Sequence, residues 1–186
     1  MRARLAALRR DERGYSLVEL LTAMSILGAV MTSLTVVLVS ATNADARMNQ
    51  EFQAQTQART ALERFRREGH AACKADPVGA ANAVTLTYVS AGTCPASGGI
   101  QVTWCTVANG SDRYGLYRSQ GPSCSAGTGV KVADYLTVEN AFNYQITSNR
   151  RAKVGLTLAV NPNPATGRGT YQLDDDIVLR NSLRTA

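Results

Sequence analysis

Residues 13–39 read RGYSLVELLTAMSILGAVMTSLTVVLV, a predominantly apolar stretch close to the N-terminus. From Leu20 to Val39 the chain has 20 residues without a charge or a proline and with one glycine, Gly28. That length matches an α-helix that crosses a hydrocarbon layer about 30 Å thick. A buried helix of a soluble core is the alternative. Core helices of this length usually show a polar face, which the stretch lacks.

The charges on either side of the apolar stretch predict its orientation. The first 14 residues contain five arginines against Asp11 and Glu12. Their net charge of +3 is half of the chain's net charge of +6. Arginine next to a membrane segment resists translocation, whereas residues 40–54 contain a single base, Arg47. We therefore predict a single-pass inner-membrane protein with a cytoplasmic N-terminus and an exported C-terminal head. Because the leader carries so much of the charge, a high pI is weak evidence for nucleic-acid binding.

One carboxylate, Glu19, lies at the start of the apolar helix. A carboxylate in lipid is costly and usually has both a partner and a purpose. The partial positive charge at a helix N-terminus favours an anion in the first turn. If the chain were cleaved before Tyr15, a new α-amine would also lie one turn away, on the same chain or on a neighbouring copy. The attraction between that amine and Glu19 would be strong in a medium of low polarity.

The segment Arg13–Leu21 resembles the processing site of type IV prepilins and pseudopilins. The likeness comprises the basic leader, Gly14, the aromatic Tyr15, Glu19 and the uninterrupted apolar helix that follows. It implies that a prepilin peptidase cuts after Gly14 and methylates Tyr15, and that Glu19 guides addition of the subunit to a filament. The segment departs from the family in having Tyr where Phe is usual and in lacking a proline in the apolar helix.

Two other interpretations of the N-terminus remain open. An ordinary secretory signal peptide would be cut near Ala41, but its apolar region is usually only about 7–15 residues long and would not contain Glu19. An uncleaved membrane anchor is the other alternative.

The resemblance to prepilins divides the chain into a cleaved leader at 1–14, a transmembrane and assembly helix at 15–41 and an exported head at 42–186.

The first part of the head is predicted to continue the helix, over residues 42–70. This segment has good helix propensity and no glycine or proline before Gly69, which we expect to end the helix. A helix from Tyr15 to about His70 would be roughly 80 Å long at about 1.5 Å per residue. The apolar residues expected on one face of the second half are Met48, Phe52, Leu62 and Phe65.

From residue 84 to residue 182 the pattern changes to alternating β-strands. The predicted strands are Val84–Ala91, Ile100–Val107, Tyr114–Ser119, Ala141–Thr147, Lys153–Val160 and Ile177–Arg180. Asn109-Gly110 indicates a hairpin with a loop longer than two residues, and 121–129 is expected to be a loop. Residues 161–167, NPNPATG, should end a strand. The predicted fold class is α+β, with about five or six mostly antiparallel strands packed on the long helix.

The same order of elements resembles the pilin head. A finer likeness, to minor pilins of the W kind and J-type pseudopilins, rests on Phe142, Tyr144, the strand at Val154–Val160 and the stretch Asp175–Ser182. It implies a structural subunit, present at low copy, that helps to start or cap a pilus or type II secretion filament. The implied partners are prepilin peptidase, other pilin or pseudopilin subunits, the membrane assembly platform and the lipid bilayer.

All four cysteines, Cys73, Cys94, Cys105 and Cys124, follow the apolar stretch. An even number in an exported region predicts two disulfides. The sequence permits three pairings, of which we favour Cys73–Cys94 with Cys105–Cys124. Free buried thiols and a zinc site are the alternatives. The latter is disfavoured because the chain has no C-x-x-C and a single histidine.

No catalytic, cofactor-binding or metal-binding constellation is found, so an enzyme is not predicted. There is no Gly-x-Ser-x-Gly and no phosphate-binding glycine motif. The triplet at 174–176, DDD, is interpreted as a solvated turn rather than a cation site. His70 is expected to cap the helix or lie on the surface. The aromatic residues Trp104, Tyr114, Tyr117, Tyr135 and Tyr144 are expected to pack in the sheet rather than to form a ligand platform.

Two basic clusters keep a second function open, that of a filament-tip adhesin or DNA receptor. Either cluster would suit the DNA backbone, although solvated charge on a helix and in a turn is the simpler interpretation. The clusters are Arg64, Arg66 and Arg67 at the end of the helix, and Arg150, Arg151 and Lys153 between two strands.

Overall fold

The structure is a computed structural model of the 186-residue chain, and it describes residues 15–79, 81–90, 94, 99–145, 151–163 and 170–182. One long helix, α1 (Leu17–Ala71), is followed by an antiparallel sheet, which confirms the α+β class. The chain forms two compact units, Met1–Arg47 and Met48–Ala186. The first contains the apolar part of α1, and the second contains the rest of α1 and the sheet.

The second half of α1 buries a face made largely of small residues. Ala54, Ala58 and Ala61 are buried together with Leu62 and Phe65, at the spacing of one helical face. Small side chains let the helix approach the sheet closely. Met48 and Phe52, which we expected on this face, are instead 67% and 69% exposed, so that prediction was wrong.

The helix ends at Ala71, one residue beyond the predicted end at residue 70. Gly69 does not stop it, since α1 continues to Ala71. Gly69 is buried against β8 (Tyr171–Val178), and a Cβ built on it would lie 2.8 Å from Cγ2 of Ile177. The glycine therefore permits close packing between the helix and a strand. After the helix, the Asn181 side-chain amide donates to the carbonyl oxygen of Ala71 at 2.9 Å.

The described residues form eight strands, and every pairing between them is antiparallel. Hydrogen bonds connect them in the order β1-β2-β3-β4-β5-β7-β6. The last strand, β8, also pairs with β7. The strands are β1 (Ala72–Val78), β2 (Ala83–Tyr88), β3 (Gln101–Ala108), β4 (Tyr114–Gln120), β5 (Val130–Leu136), β6 (Phe142–Gln145), β7 (Lys153–Val160) and β8 (Tyr171–Val178).

The sheet differs from the predicted one at three strands. β1 and β5 were missed because β1 includes Pro77 and β5 contains a bulge, and both features interrupt the alternating pattern. β8 begins six residues earlier than expected. Asp174, Asp175 and Asp176 therefore lie within a strand and not in a solvated turn. Charged residues are common on strands that have one neighbour in the sheet, where they discourage pairing with another chain.

Several predicted boundaries fall outside the described residues. The end of the first predicted strand at Ala91, the end of the fourth at Thr147 and most of the predicted turn at 161–167 lie there. Within the described part, the hairpin between β3 and β4 has a loop of residues 109–113, as predicted. Residues 121–129 form no strand, again as predicted.

The main core lies between α1 and one face of the sheet. Phe65 of α1 contacts Trp104 of β3 edge-on, with ring centroids 5.4 Å apart, and Phe142 of β6 at 5.7 Å. Phe65 and Trp104 are completely buried. A buried aromatic side chain typically removes about 150–250 Å² from water, so these residues contribute much of the stability of the second unit.

The opposite face of the sheet carries polar side chains and a second, smaller cluster. Thr85 and Thr103 are buried there and share a hydrogen bond of 2.9 Å between their hydroxyls. A disulfide joins Cys73 to Cys94, and another joins Cys105 to Cys124 beside Ala83 and Tyr117. These are the two pairs favoured from the sequence. The second disulfide fastens the 121–129 loop to the face of β3.

The bulge in β5 is stabilised by a charged cluster around Asp134. Its carboxylate accepts hydrogen bonds from Arg113 Nη2 at 2.9 Å, Lys131 Nζ at 3.0 Å and the Tyr135 backbone N–H at 2.8 Å. Tyr135 has a φ of 65°, which is unfavourable for a bulky residue, and the Arg113 guanidinium lies 3.8 Å from the centroid of its ring. Burial alone would raise the pKa of Asp134, but these hydrogen bonds outweigh it and lower the pKa to about 2.

We expect the Asp134 cluster to make folding stability depend on acid. A carboxylate whose pKa is lowered in the folded state stabilises the protein above its unfolded pKa of about 3.9, and the effect is lost as the pH falls towards 2. Because Arg113 and Lys131 are partly exposed, we expect Asp134→Asn to cost about 1–2 kcal/mol at pH 7. Urea unfolding at pH 7, 4 and 2 measures the difference in free energy of unfolding between the variant and the wild type. This difference should become smaller as the pH falls.

The matched control for this prediction is Asp176→Asn, at an exposed aspartate of β8. It should change the free energy of unfolding by less than about 0.5 kcal/mol at every pH. A loss for Asp134→Asn that stays constant between pH 7 and pH 2 would contradict the charged role of Asp134.

Candidate functional site

The first part of α1 presents a continuous apolar surface that no other part of the described chain covers. Every residue from Tyr15 to Gln50 is exposed. By length and composition α1 is able to cross a membrane: an 18-residue window has a mean hydropathy of 2.0, and none of that window is buried. Soluble proteins rarely expose apolar surface on this scale, so the segment requires lipid or another protein around it.

The polar side chains inside this segment do not conflict with a lipid environment. Each of its described hydroxyl side chains from Thr22 to Thr35 donates a hydrogen bond to a carbonyl oxygen three or four residues earlier in the same helix. A lipid-facing helix must satisfy its polar groups internally, and these do so. The pairs are Thr22 with Glu19, Ser25 with Leu21, Thr32 with Gly28, Ser33 with Val30 and Thr35 with Met31.

Tyr15 and Glu19 lie at the N-terminal end of this helix. Tyr15 is 82% exposed and precedes the first helical residue, Leu17. Glu19 is the acidic residue of the first turn, where the unpaired backbone N–H groups favour an anion. Gly14 and the rest of the leader lie outside the described residues. Tyr15 therefore lies two residues before the helix start, and Glu19 lies in the first turn of the helix.

Two of the six basic residues that suggested DNA contact, Arg64 and Arg66, are paired with carboxylates within the head. Arg64 Nε lies 3.3 Å from Glu68 Oε1, and Arg66 Nε lies 2.8 Å from Asp175 Oδ2. Arg67 and Arg151 are exposed, and Arg150 lies outside the described residues. The structure therefore does not assemble the two sequence clusters into one uncompensated basic surface within the part that it describes.

The other residues that the sequence singled out contribute to the packing of the head. His70 lies with Nδ1 3.0 Å from the carbonyl oxygen of Val178, which ties the helix end to β8. Four of the five aromatic residues named from the sequence pack in the sheet: Trp104 and Tyr117 are buried, and Tyr114 and Tyr144 pack against the main core. Tyr135 lies in the β5 bulge, with the Arg113 guanidinium over its ring. Among the residues that the structure describes, no three His, Cys, Asp or Glu side chains are grouped as metal ligands would be.

Sequence reasoning missed the polar group centred on Glu68. This carboxylate accepts hydrogen bonds from Trp104 Nε1 on β3 and Arg118 Nε on β4, both at 2.8 Å. Only the spacing of four between Arg64 and Glu68 gave a signal, and that spacing indicates a surface pair rather than a connection to the sheet. The other two partners are 36 and 50 residues away in sequence.

The comparisons with known proteins concern the N-terminal segment. Residues 9–35 match the model of the prokaryotic N-terminal methylation motif. No curated protein and no solved structure matches the chain. The matched range includes Gly14, Tyr15, Glu19 and the start of the apolar helix. The motif is a type IV pilin-type signal and indicates a precursor that is processed by prepilin peptidase.

Proposed function

We propose that the chain is a minor pilin or pseudopilin, a structural subunit that helps to start or cap a type IV pilus-like or type II secretion filament. The observation that carries the proposal is the uncovered apolar part of α1, most of which lies within the match to the methylation motif at residues 9–35. An apolar helix with no intramolecular partner suits a subunit that is stored in a membrane and then transferred to a filament, where neighbouring helices replace the lipid.

The head supports the same role. It has its own core and two disulfides, which fits export to an oxidising compartment. We place it outside the inner membrane because the arginines lie in the leader, before the apolar helix. The low-copy role rests on the likeness of the C-terminal third to minor pilins and J-type pseudopilins. The pairing of Arg64 and Arg66 within the head makes a DNA receptor the weaker candidate.

The N-terminus of the mature protein tests the proposal. We expect protein recovered from host membranes to give a terminal peptide that starts at Tyr15 and carries one added methyl group, by peptide mass spectrometry. Gly14→Val, which changes the residue before the proposed cut, should keep the whole leader. A wild-type terminus near Thr42, or an intact Met1, would contradict the proposal, because it would indicate a secreted or simply anchored protein.

A further inference from the structure

A cavity of about 530 Å³ opens beside the C-terminal end of α1. Glu68 of the helix, Tyr88 at the end of β2 and Arg118 of β4 line it on the polar side. Gln120 and Ile100 also line the cavity, and both are exposed. The cavity therefore combines a charged side with an accessible amide and an aliphatic residue.

Glu68, which lines the cavity, has two guanidinium partners: Arg118 also lines the cavity, and Arg64 lies outside its lining. Glu68 Oε1 accepts hydrogen bonds from both Arg118 Nε at 2.8 Å and Arg64 Nε at 3.3 Å, and Glu68 Oε2 accepts one from Trp104 Nε1 at 2.8 Å. Two guanidinium groups thus face a single carboxylate, whose two oxygens already have donors. The group of Arg64, Glu68 and Arg118 keeps one net positive charge.

Donors in the cavity remain without protein acceptors. An arginine offers five N–H groups, and Arg118 uses its Nε toward Glu68. Within the described residues neither of its terminal nitrogens has an acceptor, and the same holds for the Tyr88 hydroxyl. Burial, with the nearby Glu68 charge, raises the pKa of Tyr88 to about 12, so its hydroxyl keeps its proton and remains a donor. No described buried side-chain atom lacks a partner, so these donors, on two residues that line the cavity, are accessible to solvent.

We propose that the Arg118 cavity binds a carboxylate, supplied by an acidic side chain of a partner protein. The planar fork of a guanidinium matches the two oxygens of a carboxylate, and the net positive charge favours an anion. The aliphatic side chain of Ile100 is 68% exposed beside these donors. It offers apolar contact that an aliphatic neighbour of the acidic residue would use and that a free inorganic anion would not. The site does not require filament assembly.

The experiment titrates the full mature chain in detergent micelles with two peptides, acetyl-Leu-Glu-Leu-amide and its Leu-Gln-Leu analogue, and with acetate. NMR signals of the Arg118 Nε–H and the Tyr88 ring report binding. The variant Gln120→Glu places a negative charge at the cavity wall, whereas Gln145→Glu places one at an exposed position of β6. Both glutamines are exposed, so both variants should fold, and thermal unfolding checks that they do.

We expect saturable binding of the Glu peptide, at least about tenfold tighter than that of the Gln peptide or acetate. Gln120→Glu should weaken binding of the Glu peptide by at least about tenfold, and Gln145→Glu should leave it unchanged. Equal binding of the two peptides, or no effect of Gln120→Glu, would overturn the proposal. Acetate binding as tight as that of the peptide would also overturn it, because the site would then accept a free anion rather than a protein side chain. A failure here leaves the expected Tyr15 terminus untouched.

Discussion

Replacing Trp104 with alanine is expected to lower the free energy of unfolding of the head by about 3–5 kcal/mol. Trp104 is completely buried, and its ring packs edge-on against Phe65 of α1. Its loss would leave a cavity at the centre of the helix–sheet contact. It would also remove one of the donors that hold Glu68, the carboxylate that links α1 to both β3 and β4. Loss of a hydrogen bond to a partly buried charged group adds to the cost of the cavity.

Urea unfolding of the full chain in detergent, followed by circular dichroism, measures this effect, since Trp104 is the only tryptophan and fluorescence is lost with it. The control is Phe52→Ala, a large-to-small aromatic substitution on the same helix at a position that is 69% exposed. It should cost less than about 0.5 kcal/mol. A cost for Trp104→Ala below about 1 kcal/mol would mean that the helix does not depend on this contact.

The contrast between Phe65 and Phe52 shows what the sequence of the second half of α1 reveals and what it does not. Helix propensity and the absence of proline predicted the helix correctly, because these are local properties. The buried face was only half predicted. Alanines such as Ala54 and Ala58 occupy it, and their small size, rather than their hydrophobicity, allows the sheet to approach. A pattern based on large apolar residues therefore extended the face to Phe52.

The strands show the same limit. Alternation predicted β2, β3, β4 and β7, whose inward side chains meet the core. It missed β5, where the bulge at Asp134–Tyr135 interrupts the alternation and is stabilised by Arg113 from the loop before β4. Such a contact joins residues 21 apart and leaves no local pattern. The favoured disulfide pairs were found by preference among three possibilities and not by geometry.

The two candidate sites also differ in whether the sequence alone reveals them. The N-terminal motif was recognisable because its parts lie within a few residues of one another, from Gly14 to Glu19. The Arg118 cavity was not, since Glu68, Tyr88 and Arg118 come from three elements and only the fold brings them together. A motif of neighbouring residues can be recognised in the sequence, whereas a site formed by tertiary packing can be recognised only in the structure.

Replacing Glu19 with alanine is expected to reduce the amount of mature protein in filaments at least about tenfold, a difference of about 1.4 kcal/mol in assembly. Cleavage after Gly14 and insertion of the apolar helix should continue. A carboxylate in the apolar segment is costly, and the proposed partner that offsets this cost is the α-amine of Tyr15 after cleavage, on the same or a neighbouring subunit. Without Glu19 the helix remains lipid-compatible, but the amine has no anion to meet when subunits join.

The measurement compares the fraction of mature protein in sheared filaments with the fraction in membranes, by immunoblotting, together with the mass of the N-terminal peptide. Glu19→Gln keeps the size of the side chain but removes its charge, so it should fail in the same way if the ion pair is what matters. Glu51→Ala removes an exposed glutamate from the same helix beyond the apolar segment and should assemble normally. Normal incorporation of Glu19→Ala would contradict the pairing with the amine. An uncleaved leader in that variant would place the role of Glu19 at the peptidase instead of the filament.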